Sequence, residues 1–126
     1  MLKPGIKGKN EMLVTEEKTA KAVGSGTLRV LATPAMIALM EKTAYESVAD
    51  VLEEGEGTVG TLVNIKHVAA TPVGMKVRCE SELLKVEGRA LTFSVACYDE
   101  RGLIGEGEHQ RFVVCNEKFQ EKANAK

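Results

Sequence analysis

The sequence predicts an α+β fold in which an antiparallel sheet wraps around one long central helix. Three observations lead there: one helix-length, mostly apolar stretch from Pro34 to Glu54, four strand-length runs after it divided by turn residues, and one β-tolerant segment before it. One strand, one helix and then consecutive antiparallel strands is an α+β order. At 126 residues and 44% hydrophobic, the chain is expected to be a single domain, 1–126, with a real core but without two lobes and a cleft between them. Any pocket must then lie within the fold or between subunits.

Met12 to Val23 is the expected first strand, leaving through Gly24-Ser25-Gly26. Thr33-Pro34 starts the helix, with the Thr33 hydroxyl as N-cap and proline at the first helical position, where its missing amide is no loss. Gly55 and Gly57 stop it after Glu53-Glu54. Ala35, Met36, Ala38, Leu39 and Met40 leave its first turns nearly free of charge, as a helix enclosed by a sheet requires. Strands are expected over Thr58–Ala70, Met75–Val86, Ala90–Tyr98 and Leu103–Val114, with turns at Thr71-Pro72-Val73-Gly74, Glu87-Gly88 and Asp99-Glu100-Arg101-Gly102. A polar tail from Asn116 is expected to add a short helix. The hot-dog fold has this layout.

A formal net charge of −1 and basic residues spread along the chain exclude the electrostatic footprint of a nucleic-acid binder. No Trp and 4% aromatics leave no base-stacking platform. The start, Met1-Leu2-Lys3-Pro4-Gly5, lacks the apolar run of a signal peptide, and no stretch approaches the roughly 18 apolar residues of a membrane span. A cytoplasmic protein without membrane contact is the expectation. Cys79, Cys97 and Cys115 are far apart with no C-x-x-C, and Cys79 and Cys97 alternate in phase with apolar neighbours. They read as small core residues, and no metal site is expected.

Glu41 is the residue most out of place. On a helical projection Ile37, Ala44, Tyr45, Val48 and Leu52 fall within roughly 60° of it, while Lys42, Glu46, Asp50 and Glu53 fall on the far side. A carboxylate there must be paired, neutralised or used, because an uncompensated buried charge is strongly destabilising. Use in a cleft is the functional reading, and a structural hydrogen bond to a strand or a second protomer is the alternative. His67 shares strand parity with Val63 and Ile65, which suits a core histidine or, beside a second displaced titratable group, an acid–base partner. His109 and Arg111 share a face with Gly105 and Gly107, glycines that read as room for a crossing helix, which makes His109 a rival to His67.

Gly55-Glu56-Gly57-Thr58-Val59-Gly60 spells G-x-G-x-x-G, but it follows a helix and precedes a strand, the reverse of a dinucleotide site. It reads as a helix stop and a close backbone approach, with the Gly60 amide free for a ligand. Thr33, at a helix start with free amides and positive dipole, suits a carbonyl oxygen gaining negative charge. It lies roughly 12 Å along the helix from Glu41, so a shared site needs an intervening substrate or water, or a second chain.

Leu31-Ala32-Thr33-Pro34-Ala35-Met36, Leu39-Met40-Glu41, Gly55 to Thr61 and His67-Val68-Ala69-Ala70-Thr71-Pro72-Val73-Gly74 resemble the hot-dog thioesterases of the fluoroacetyl-CoA thioesterase type. The likeness continues through Val86-Glu87-Gly88-Arg89, Gly105 to Arg111 and Glu117-Lys118-Phe119. It implies acyl-CoA hydrolysis, with Thr33, Glu41 and His67 as the catalytic set. Glu41 would be nucleophile or general base on water, Thr33 and His67 would polarise the thioester or handle protons, and Gly60 and Arg111 would bind substrate, Gly60 through an oxyanion-holding amide. It also implies a homodimer or dimer of dimers with the acyl site at the interface, and no cofactor, coenzyme A being part of the substrate. The connection Gly24 to Val30 is short and has no aromatic, where the fluoroacetyl-specific enzyme has a longer phenylalanine-rich segment. A general short acyl-CoA thioesterase is therefore expected. The alternative is a non-catalytic hot-dog module that binds acyl-CoA or stabilises an assembly, and a hydratase fits less well because the helix has no Asp followed closely by His.

Overall fold

In the computed structural model, which describes residues 1–126, five antiparallel strands form one sheet in the order β1-β3-β4-β5-β2. They are β1 (Lys7–Leu13), β2 (Glu56–His67), β3 (Lys76–Glu87), β4 (Ala90–Asp99) and β5 (Gly102–Cys115). The helices are α1 (Ala20–Val23), α2 (Thr33–Val48) and α3 (Asn116–Asn124). Alternation explains the central strands: Val77, Cys79, Ser81 and Leu83 of β3 and Leu91, Phe93, Val95 and Cys97 of β4 point inward and are buried, and the residues between them are not. Their inner faces close on Met36, Leu39, Met40, Ala44 and Val48 of α2, and Ile104 and Val113 of β5 complete the core.

The first strand is not Met12 to Val23 but β1, seven residues with two lysines, an asparagine and a glutamate. Such a segment is too polar to be read as a strand by itself, and pairing with β3, from Lys7↔Glu82 to Leu13↔Lys76, makes it one. It lies tight against α2: a Cβ on Gly8 would stand 2.8 Å from both the Ser47 Cβ and the Thr43 carbonyl oxygen, so glycine is required for the approach. Asn10 Nδ2 then bonds Glu46 Oε1 at 3.0 Å and Thr43 Oγ1 at 3.3 Å. Residues expected to continue the strand instead form a 3₁₀ turn, Glu16–Lys18, and the single turn of α1, closed by Gly24 at φ +90°.

Helix α2 also departs from expectation at both ends. Ala32, not Thr33, is its N-cap residue, without a side-chain cap. Backbone bonds fix the entering chain instead, from the Leu31 amide to the Thr71 carbonyl (2.8 Å) and from the Ala32 amide to the Lys18 carbonyl (2.9 Å). That leaves the Thr33 hydroxyl free for other use. At the far end α2 stops at Val48 and passes into a 3₁₀ turn, Ala49–Val51, with Gly55 at φ +83° beyond it.

The crossing of α2 over the sheet is made possible by a small residue on β5. A Cβ on Gly105 would stand 2.6 Å from the Met36 Sδ and Cε atoms, whereas Gly107, also expected to admit the helix, makes room for the backbone of Asn64 and Ile65 on β2 instead. Cys79 and Cys97 are buried and directly opposed across β3 and β4, whereas Cys115 ends β5 exposed, contrary to its reading as a core residue.

Candidate active site

The buried stripe of α2 runs through Met36, Leu39, Met40, Thr43, Ala44 and Val48, which centres it roughly 100° around the helix from Glu41. Glu41 is therefore on the flank of the apolar face, not in its middle, and its side chain is 39% exposed. Tyr45, one turn on, is 44% exposed. The sheet covers one side of α2 and leaves the Glu41 side open toward β2, the edge strand. The charge is also paired, since Oε2 accepts from Arg111 Nη1 at 3.1 Å.

Arg111 is only 7% exposed and its guanidinium is almost fully engaged. Nε donates to Thr58 Oγ1 at 2.8 Å, Nη2 to the Thr58 carbonyl at 3.0 Å, and Nη1 to Glu41 and to His109 Nε2, both at 3.1 Å. The Tyr45 ring lies 5.7 Å from the guanidinium carbon, within cation–π reach. Burial lowers the Arg111 pKa, and Glu41 pulls it back up. Gly60 borders the same cluster: a Cβ there would meet Glu41 Oε2 at 2.5 Å, so the carboxylate rests against bare backbone. A β-bulge at Thr61, between Gly60↔Arg111 and Leu62↔Gln110, shapes the strand at this point.

Thr33 and His67 form a second pair. Thr33 Oγ1 and His67 Nδ1 are 2.8 Å apart, joining the first turn of α2 to the last residue of β2. His67 Nε2 is buried without a hydrogen-bond partner, and burial depresses the imidazole pKa more than the Ala69 backbone raises it. The Thr33 and Ala35 amides precede the first intrahelical bond, from the Met36 amide to the Ala32 carbonyl (3.0 Å). Beside this pair opens a mostly apolar cavity of about 350 Å³, bounded by Ala20, Val30, Leu31, Val68 and Ala69. A larger cavity of about 700 Å³ on the outer face of the sheet, between Lys7, Lys9, Glu80 and Glu82, contains none of these residues.

The five residues expected to make up the site thus fall into two groups within one chain, with the rival His109 beside the first of them. Glu41, Gly60 and Arg111 meet in one, Thr33 and His67 in the other, and no hydrogen bond or ion pair joins the groups. Sequence reasoning missed Thr58, which holds two arms of Arg111, and Tyr45, which it placed among the apolar neighbours of Glu41 without a role. Only the β2–β5 register brings Thr58 to Arg111, and no local pattern carries that information.

A helix laid across one antiparallel sheet is the hot-dog arrangement. A hot-dog-like protein from Thermanaerovibrio acidaminovorans superposes with a TM-score of 0.86 at 22% identity, over 95% of this chain and 89% of that one. The class is a thioester hydrolase on a hot-dog fold, because residues 14–117 match the family model of the fluoroacetyl-CoA-specific thioesterase FlK. A fluoroacetyl-CoA thioesterase from Streptantibioticus cattleyicolor is 43% identical over 97 residues, 77% of this chain and 70% of that protein. A solved structure of the fluoroacetyl-CoA thioesterase FlK superposes with a TM-score of 0.95 at 35% identity, covering 100% and 98% of the two chains, and a variant of FlK is described in complex with acetyl-CoA. The chain belongs to the FlK family of thioesterases.

The two histidines carry a pH consequence. Burial is the largest cause lowering the pKa of both His67 and His109 below the ordinary 6.5. The unfolded chain therefore binds protons first as pH falls through about 6.5, and stability declines from there until the lowered folded-state values are passed. The urea midpoint should be higher at pH 7.5 than at pH 5.5, and an unchanged or opposite trend would show that neither imidazole is held neutral by the fold.

Proposed function

We propose that this chain hydrolyses short acyl-CoA thioesters to the free acid and CoA, with Glu41 as the reacting carboxylate. The observation that carries this reading is the state of Glu41: its Oε2 is held by Arg111 against Gly60, while the side chain remains accessible from the open side of α2. A carboxylate fixed on one oxygen and free on the other suits attack on a thioester carbonyl, or activation of the water that attacks it. Thr33 can donate to His67 Nδ1, and the hydroxyl and neighbouring amides can polarise the carbonyl or pass a proton. The Gly60 amide is the second oxyanion donor, and Arg111 serves the substrate by holding Glu41 in place.

A second copy of the chain completes the site in this reading. Strand β2 is a twelve-residue sheet edge, and Leu62 and Val63 on it, with Tyr45 on α2, are 39–44% exposed. Long apolar edges are normally covered. An edge-to-edge partner along β2 would cover them and bring a second set of groups across from Glu41, closing the gap between the two pairs. The cavity beside Thr33 and His67 has small aliphatic walls and no aromatic among them, which suits a short acyl group without selecting one.

Three outcomes are expected. Glu41→Ala should lower kcat on acetyl-CoA by on the order of a hundredfold or more while circular dichroism shows a folded protein. Near wild-type turnover by this variant would make Glu41 structural. Sedimentation equilibrium at micromolar concentration should give a dimer or dimer of dimers, and an active 13.6 kDa monomer would refute the shared site. Finally, kcat/KM for acetyl-, fluoroacetyl- and butyryl-CoA should agree within about two orders of magnitude, because pocket contacts differing by one small group discriminate only modestly. A fluoroacetyl preference above roughly ten-thousandfold would place a selectivity device in residues read as ordinary wall.

A further inference from the structure

His109 takes no part in the chemistry described above, yet it is 1% exposed and bonded at both ring nitrogens. Nδ1 lies 2.8 Å from the Leu62 carbonyl oxygen, which can only accept, so Nδ1 carries the proton. Nε2 lies 3.1 Å from Arg111 Nη1, which can only donate, so Nε2 presents its lone pair. These two neighbours allow one protonation state, the neutral Nδ1–H tautomer. The groups facing the ring from the packed elements are the Phe93 ring on β4 (centroids 6.3 Å apart), the Leu62 carbonyl on β2, Arg111 on its own strand, and Glu41 on α2, whose Oε2 is 3.9 Å from Nε2. Tyr45 reaches the cluster through Arg111.

We propose that His109 is a positioning residue for thioester hydrolysis: its Nε2 lone pair orients Arg111 Nη1, and through that nitrogen the Glu41 carboxylate. The two hydrogens of Nη1 are shared between the His109 lone pair and Glu41 Oε2, so the direction of one bond sets the direction of the other. The bulge at Thr61 belongs to the device, because the Leu62 carbonyl that fixes the tautomer lies immediately beyond it. Protonation of His109 replaces the lone pair by an N–H. That hydrogen points at Arg111 and competes with it for Glu41, which breaks the arrangement. Burial and the Arg111 charge keep the ring neutral against the opposing pull of Glu41 and the Leu62 carbonyl.

The role assigned here rests on Glu41 being the reacting carboxylate, so the test has an arm that needs no turnover. With only two histidines in the chain, ¹⁵N spectra of the wild-type protein report each ring separately. His109 should appear as the Nδ1–H tautomer at pH 7.5 and titrate below 6.5. An Nε2–H tautomer or an imidazolium at pH 7.5 would overturn the proposal whatever the activity. In kinetics, His109→Asn keeps a donor near Nδ1 but loses the acceptor at Nε2, and should lower kcat about 10- to 100-fold, as loss of a hydrogen bond to a charged group does, with KM changed less than threefold. His109→Gln places an amide oxygen near Nε2 and should recover kcat to within about fivefold of wild type, a modest residual loss for a retained acceptor. Its acid limb should lose the His109 component and follow His67 alone. An Asn variant with wild-type kcat and pH profile would overturn the positioning role while leaving Glu41 untouched. Wild-type inactivity across the acyl-CoA panel would instead overturn the functional reading, and the role of His109 with it.

Discussion

The buried guanidinium of Arg111 is the constraint around which this end of the molecule is arranged. A charge that is 7% exposed is tolerated only when its donors are met, and Thr58, His109 and Glu41 meet them from three elements. Each partner is in turn located by something else: Thr58 by the β2–β5 register, His109 by the Leu62 carbonyl, Glu41 by its place on the flank of α2. Removing any one partner strands part of a buried cation. The same demand that stabilises the cluster therefore holds the Glu41 carboxylate in place at a partly open surface.

The second requirement is space. An α-helix can lie over a sheet this closely only where side chains are absent, and β1 and β5 supply that through Gly8 under Ser47 and Gly105 under Met36. Gly60 does the same for a functional group, admitting Glu41 to within contact of the β2 backbone. These glycines are needed for close approach and not for left-handed backbone, since none of the three has positive φ.

Much of this was legible in the sequence. Four strands were placed to within three residues at either end, because their alternation and their turns, such as Glu87-Gly88 and Asp99 to Gly102, are local signals. The sequence also read Gly105 as making room for the helix, which Met36 takes up, whereas Gly107, read the same way, makes room for the β2 backbone instead. The polar strand Lys7–Leu13 was not legible, because its identity comes from pairing with β3, nor was the free Thr33 hydroxyl, because distant backbone bonds hold the helix entry. The orientation of the apolar stripe was misjudged for a related reason: Ile37 and Tyr45 flank Glu41, but the sheet does not reach that side within one chain. The bonds of Thr33 to His67 and of Arg111 to Glu41 join residues 34 and 70 positions apart, which no periodicity reveals.

The two free edges of the sheet are unlike, and that difference limits growth. Strand β1 shows solvent Lys7, Lys9 and Glu11, a charged margin on which another strand adds poorly, whereas β2 shows Leu62 and Val63. Two copies joined back to back through β2 would make one continuous ten-stranded sheet with β1 at both ends. Such a union is isologous and leaves only the largely charged β1 margins at its two ends. Polarity in a strand that nearly escapes notice in the sequence would thus make any such β2 pairing a closed event instead of the start of a fibre.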